Sequence, residues 1–194
     1  FTQTQTITAT PILEVGSTMT NPVDNAVMVY VPEGQFIMGS EDKFSWPNEQ
    51  PSNVIYLDAY WIHQTEVTNS QYRSCIQDGN CSGAIMTFPD DTYPAVHVNW
   101  FQANSYCEWI GGRLPTEAEW EKAARGSEGW VYTWGDDDPT CELANYSDCG
   151  TKAMPVGRHL SGASFYGALE MAGNVREWVS DNYEEYYYRS IPLS

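Results

Sequence analysis

Apolar positions first cluster at Val27-Met28-Val29-Tyr30-Val31, a β-branched run, and again at Gln35-Phe36-Ile37-Met38 across Pro32-Glu33-Gly34. Two such runs about a glycine turn predict a hairpin. Residues 39–53 are polar and carry Pro47 and Pro51, so they predict a loop. Val54-Ile55-Tyr56-Leu57 and Tyr60-Trp61-Ile62 predict a second strand pair. The period then lengthens. Thr68 suits the N-cap of a helix from Asn69 to about Gln77, stopped by Gly79. From Asn99, the residues Trp100, Ala103, Cys107 and Ile110 recur at helical spacing until Gly111-Gly112. Thr116 with Glu119 makes a capping box for a third helix, in which Trp120, Ala123 and Ala124 face the core and Gly126 is the stop. Beyond Gly126 turn formers dominate, no helix is expected, and Glu177-Trp178-Val179 reads as a short strand. The class is α+β with few helices, short strands and much loop. Residues 1–25, rich in Thr, show neither period and read as a linker or tail before a domain spanning 26–194.

Charge narrows the partners. Asp and Glu number 26 against 9 Lys and Arg, a net charge of −17 over 194 residues. A phosphate backbone or an anionic membrane surface wants the opposite sign, so nucleic acid and membrane binding are not expected. A hard cation such as calcium suits the excess of carboxylates better. Aromatics at 14% exclude a disordered acidic chain. No run of about 18 apolar residues marks a membrane span, and no basic stretch leads an apolar one as in a signal peptide. The chain opens on Phe1, so a processed or truncated start is expected.

The five cysteines fall as Cys75 and Cys81, Cys141 and Cys149, and a single Cys107. Each close pair flanks a turn-rich stretch, and two disulfide-clipped loops suit an oxidising compartment. Free thiols are the alternative. A zinc site would want CxxC-like spacing or a nearby His, and neither pair has one. Cys107 reads either as a small buried hydrophobe or as a thiol whose partner lies outside the chain. His63, His97 and His159 have no second ligand at i+2 or i+4 and read as surface or packing residues. Asp136-Asp137-Asp138 reads as a solvated acidic turn. Arg113, Glu117, Glu119 and Glu121 surround a helix start, where capping and the helix dipole account for most of them. Trp100, Trp109, Trp120, Trp134 and Trp178 are expected to be mostly buried. Tyr183, Tyr186, Tyr187 and Tyr188 are expected to line a groove or to fray.

An ordered set of motifs carries a resemblance. It runs from Met28-Val29-Tyr30-Val31-Pro32-Glu33-Gly34 through Glu66-Val67-Thr68-Asn69 and Gly112-Arg113-Leu114-Pro115-Thr116-Glu117-Ala118-Glu119-Trp120. It ends on Met171-Ala172-Gly173-Asn174-Val175-Arg176-Glu177-Trp178. Order and spacing resemble the formylglycine-generating enzyme, or sulfatase-modifying factor, family over about Ala26 to Asp181. The resemblance implies a variant C-type-lectin fold and, in catalytic members, oxidation of a sulfatase cysteine to Cα-formylglycine with oxygen and copper(I). That copper sits on two cysteines after a Gly-Gly-Ser-Trp/Tyr stretch and before a Gly-Phe-Arg stretch. This sequence has neither stretch, so it reads as truncated at the C-terminus, with copper expected only in a full-length catalytic relative. In some relatives the Cys107 position pairs with a cysteine of the Gly-Phe-Arg stretch.

The resemblance also implies two calcium sites. The first uses Glu170, the carbonyls of Gly173 and Val175, and Glu177; Glu170 stands where Asp or Asn is usual. The second uses Asn145 and the Tyr146 carbonyl, with Asp148 as the acid left in a shortened loop. Glu66 and Arg176 are suggested as members of a buried ionic network. Two functions follow. One is a formylglycine-generating oxidase in the full-length protein, acting on a sulfatase-type peptide, with this chain lacking the catalytic cysteine pair. The other is a non-catalytic extracellular or cell-surface module, tethered by residues 1–25, that binds an unknown extracellular ligand.

Overall fold

The computed structural model describes residues 12–43, 45–83 and 90–190. Strands β1 (Thr18–Thr20), β2 (Val27–Val31) and β5 (Tyr60–His63) form one antiparallel sheet in the order β1-β2-β5; β3 (Gly34–Met38) and β4 (Asn53–Leu57) form another. Neither predicted hairpin forms. β2 pairs with β5 and β3 with β4, and Val31 opposite Tyr60 and Gly34 opposite Leu57 keep a single register. The two sheets are therefore one long ribbon interrupted at its middle. Pro32 lacks the amide a ladder needs, and Pro32-Glu33 is where the ladder breaks. The hairpin loop is residues 39–52, much longer than the Pro-Glu-Gly turn the sequence suggests.

The break is held by an unexpected group. Lys122 lies fully buried on a helix, and its Nζ donates to the Pro32 carbonyl at 2.8 Å and the Gly34 carbonyl at 3.0 Å. Its ammonium thus takes the carbonyls that the interrupted ladder leaves unpaired.

The three predicted helices stand where their caps put them: α1 (Asn69–Gln77), α2 (Trp100–Trp109) and α3 (Glu117–Arg125). Thr68, Asn99 and Thr116 each accept the amide three residues on, and Gln71, Gln102 and Glu119 return the bond to the cap amide. A short helix, α4 (Tyr187–Ser190), follows where none was expected. Glu177-Trp178-Val179 is not a strand.

The domain also begins earlier than Ala26. β1 lies inside the stretch read as linker and pairs Thr18 with Val29, while Asn21 and Asp24 are buried. Asp24 accepts the Tyr106 hydroxyl at 2.6 Å and the Ala26 amide at 2.9 Å. Buried polar anchors, rather than apolar periodicity, order this segment. The part of the proposed tether before Ile12 lies outside the described residues.

Three apolar clusters make the core. One is Tyr72, Cys75, Cys81 and Tyr106; one is Val31, Ala123 and Tyr166; the third is Phe36, Met38 and Tyr188. Tyr188 is therefore not frayed: it packs under Gly39, where a Cβ would meet the Glu49 carbonyl and the Tyr188 ring, and with Tyr183 and Tyr187 it lines a second pocket, as the groove expectation has it. Tyr183, Tyr186 and Tyr187 are exposed. Of the five tryptophans expected inside, Trp109 packs against the first cluster, and none is fully buried. Trp100, Trp109, Trp120 and Trp134 are half-buried, and Trp178 is 47% exposed. Each donates its indole N–H, to Val179, Asp78, Glu177, Asp137 and Val98 respectively, and an aromatic with a polar tip settles at such a boundary.

Both disulfides form, Cys75–Cys81 and Cys141–Cys149, each with Cα atoms 5.3 Å apart. Cys75 is fully buried against Tyr72 and Tyr106. Replacing Cys75 and Cys81 together by alanine frees the loop in the unfolded chain, so stability is expected to fall by about 2–3 kcal/mol. Urea denaturation of both forms measures this; equal midpoints would show that the clip contributes nothing to stability.

Candidate functional site

The segment between β5 and α1 is pinned from both sides. The Gln64 carbonyl accepts the Leu169 amide at 2.7 Å, and the Val67 carbonyl accepts the Ala95 amide at 2.8 Å. Between them Glu66 points inward, only 7% exposed, into a cavity of about 320 Å³. Most of that lining is apolar, including Val67, Ala95, Val98, Leu169, Met171 and Val175. Arg113, Arg176, Glu177 and Trp178 form its more exposed side.

Asn174 is the hub beside it. Its φ of 52° turns the chain sharply. Its Nδ2 donates to Glu66 Oε1 at 2.9 Å and to the Met154 carbonyl, while its Oδ1 accepts the Met154 amide and Asn145 Nδ2. Glu66 Oε2 is buried with no hydrogen-bond partner. Burial, followed by repulsion from Glu177, pushes the Glu66 carboxyl up to about 8. Glu177 borders the cavity on its exposed side; desolvation by the surrounding protein pushes its carboxyl up to about 7, with Trp120 Nε1 donating to Oε2 at 3.1 Å.

Of the residues expected to bind calcium, Asn145 is bonded directly to this hub, and Glu170, Gly173, Val175 and Glu177 lie on the same stretch of chain as Asn174. Glu170 is buried, and its oxygens accept the amides of Gly157, Arg158 and His159 at 3.0, 2.9 and 3.2 Å. Turning it to an ion would strip three amides of their acceptor. Gly173 rests directly on the Asn145 carbonyl, an approach only glycine permits. Val175 and Glu177 border the cavity. In the second set Asn145 is buried and bonded to Lys152 and Asn174, the Tyr146 carbonyl accepts the Cys149 amide, and Asp148 is exposed. Calcium would need about six to eight oxygens from these residues and their neighbours. Among the described residues no three His, Cys, Asp or Glu side chains are grouped to hold a metal.

The ionic network around α3 is otherwise structural. Arg113 grips Glu119 with both nitrogens, while Glu121 pairs with Arg125. Arg176 is exposed and joins neither. Asp136, Asp137 and Asp138 are exposed, as the acidic turn requires. His159 is buried and His97 exposed; His63 lies 3.4 Å from Asp24. Cys107 lines the cavity, and burial pushes its thiol up to about 11. A thiol so raised is a poor nucleophile and a poor metal ligand.

The sequence reading did not anticipate the roles of Asn174 or Lys122. Gly173-Asn174 is legible as a turn, but the four bonds made by that asparagine span loops distant in sequence. Lys122 has no sequence signal, since helix positions of this kind normally carry lysine to solvent.

An α+β domain of three capped helices against a broken ribbon, with long loops gathered by buried polar side chains, defines the architectural class. The family described as "Sulfatase-modifying factor enzyme 1-like domain" matches residues 14–192, and the chain belongs to that family. The hercynine oxygenase of Mycolicibacterium smegmatis is 31% identical over 212 residues, 88% of this chain and 49% of that protein. The formylglycine-generating enzyme of Streptomyces coelicolor is 28% identical, covering 84% of this chain and 71% of the enzyme. The inactive Cα-formylglycine-generating enzyme 2 of Mus musculus is 27% identical over 81% of this chain and 69% of its own. The structure of PvdO from Pseudomonas aeruginosa superposes with a TM-score of 0.78 at 25% identity, covering 94% of this chain and 80% of that one. This chain spans about half of the hercynine oxygenase it matches.

Proposed function

We propose that residues 1–194 form a ligand-binding module on the sulfatase-modifying factor fold, with the Glu66 cavity as its binding site. The observation that carries this is the state of the cysteines. Four of the five are locked in disulfides, and the fifth, Cys107, holds its proton with a thiol raised to about 11. A copper(I) centre is held by soft thiolates, and this chain offers no thiolate pair. The cavity, by contrast, combines an apolar wall with a few placed polar groups, as ligand sites do. The two disulfides support display in an oxidising, extracellular setting. No helix among the described residues is long and apolar enough to cross a membrane.

A second reading is favoured by the identity to the Streptomyces enzyme over 84% of the chain: the fold serves formylglycine formation on a sulfatase-type peptide, with thiolates and copper supplied by residues outside this sequence. The test is mass spectrometry of a cysteine-containing sulfatase-type peptide incubated with the chain, copper(I) and a thiol reductant in air. The peptide is expected to survive unchanged. An aldehyde product trapped by a hydrazine would refute the module reading and make one of these cysteines catalytic.

A further inference from the structure

Glu66 Oε2 has no donor among the described residues, though the side chain is more than nine-tenths buried and faces a cavity. His63 Nε2, on the same wall, is likewise buried without a hydrogen bond among the described residues. Glu170 is saturated by three amides, Arg113 is taken by Glu119, and Asn174 spends both of its polar atoms on loop backbone, Asn145 and Glu66. His63, also on the cavity wall, is turned to Asp24, with its Nε2 3.4 Å from Oδ2. Arg176 lines the cavity but is exposed and, among the described residues, forms no ion pair within 4.0 Å with an acid. The carboxyl groups of Glu66 and Glu177 thus border one largely apolar chamber, with Arg113 and Arg176 on its exposed side. Leaving a buried acceptor unmatched is costly, and a ligand that supplies the donor recovers that cost.

We propose that the cavity takes an organic cation, an ammonium or guanidinium group on an apolar stem, with the charged head donating to Glu66 Oε2 and Glu177 and the stem lying along the Val67, Leu169 and Met171 wall. This rests on the cavity being the binding site and names the class of ligand it accepts. An inorganic divalent ion is the poorer fit, because among the described residues no three His, Cys, Asp or Glu side chains are grouped to hold one, and a hard ion needs a ring of oxygens. A ligand without a donor would leave Glu66 Oε2 unmatched. At about 320 Å³ the chamber is at the small end of ligand cavities, which run to roughly 1,000 Å³. It therefore suits one short-stemmed cation. The head could be carried by a free amine or by a lysine or arginine side chain of a peptide, since both present the same chemistry.

Calorimetry with the intact chain tests this, using n-hexylamine, n-hexanol, calcium chloride and acetyl-Leu-Lys-Leu-amide as probes. Hexylamine or the lysine peptide is expected to bind at least tenfold more tightly than hexanol; which of the two is tighter identifies the source of the head group. Glu66→Gln is expected to weaken the cationic probe at least tenfold while leaving hexanol unchanged. Glu177→Gln provides a second variant should the first fold poorly, with far-UV circular dichroism confirming the fold. Equal binding of hexylamine and hexanol would overturn the cation assignment while leaving the cavity as a binding site. Failure of all four probes would overturn both. Calcium binding that Glu66→Gln abolishes would replace the organic cation with a metal ion.

Discussion

Replacing Arg125 by alanine is expected to destabilise the fold by about 3–5 kcal/mol, the range for breaking a buried ion pair by removing one partner. Arg125 is the last residue of α3, and its guanidinium is fully used. It pairs with Glu121 one turn earlier and donates to the carbonyls of Gly39, Gly129 and Trp130. Glu121 in turn accepts the Gly39 amide at 2.8 Å and the Tyr188 hydroxyl at 3.3 Å. One cation therefore fastens the end of β3, the loop after α3 and, through Glu121, the C-terminal helix α4. Alanine would leave three carbonyls and a poorly hydrated carboxylate without their donor. Lysine in its place keeps the charge but not the fork, and is expected to recover less than half of the loss. Chemical denaturation of the three proteins measures this; an alanine variant within about 1 kcal/mol of the parent would show that solvent replaces these bonds readily.

Glu66→Gln is expected to change the slope of stability against pH. The Glu66 carboxyl titrates at about 8 in the folded chain against an ordinary 4.5, so the folded state holds a proton that the unfolded state has released between those values. The favourable contribution of protonated Glu66 is whole below pH 4.5, is lost progressively as pH rises to about 8, and changes no further above that. At about 1.4 kcal/mol per pKa unit, discounted for the coupling to Glu177, the wild type should lose roughly 2–4 kcal/mol relative to the variant between pH 5 and 9. Glu177 is raised with the same sign, to about 7, and is present in both proteins, so the difference reports Glu66 together with its coupling to Glu177. Glutamine keeps an oxygen for the Asn174 amide. Parallel pH profiles for the two proteins would mean that Glu66 ionises freely and that water reaches Oε2.

Both predictions rest on features of unequal legibility. The Glu66 motif stands out in the sequence as part of an ordered set, yet its burial and its missing donor do not. Arg125 looks like an ordinary basic residue at a helix end, suited to the dipole. The tryptophans were expected inside because their apolar area is large; they lie at the boundary because each indole N–H needs an acceptor.

The sequence by itself determined what is local. Thr68, Asn99 and Thr116 set the helix starts because a capping box closes within three residues, and Gly126 ends α3 because the chain there needs a positive φ. The two short cysteine loops close because their ends are near in the chain, and the ordered motifs declare the family. Tertiary structure decided whatever joins distant segments. β2 and β3 form no hairpin because Pro32 interrupts the ladder and each strand finds a partner 15 to 35 residues away, with Lys122 taking the carbonyls exposed at the break. Glu170 is an amide acceptor because three consecutive amides of residues 157–159 turn toward it. The cavity exists because residues 64–67 are held between Ala95 and Leu169, and no periodicity along the chain encodes the chemistry of the space between them.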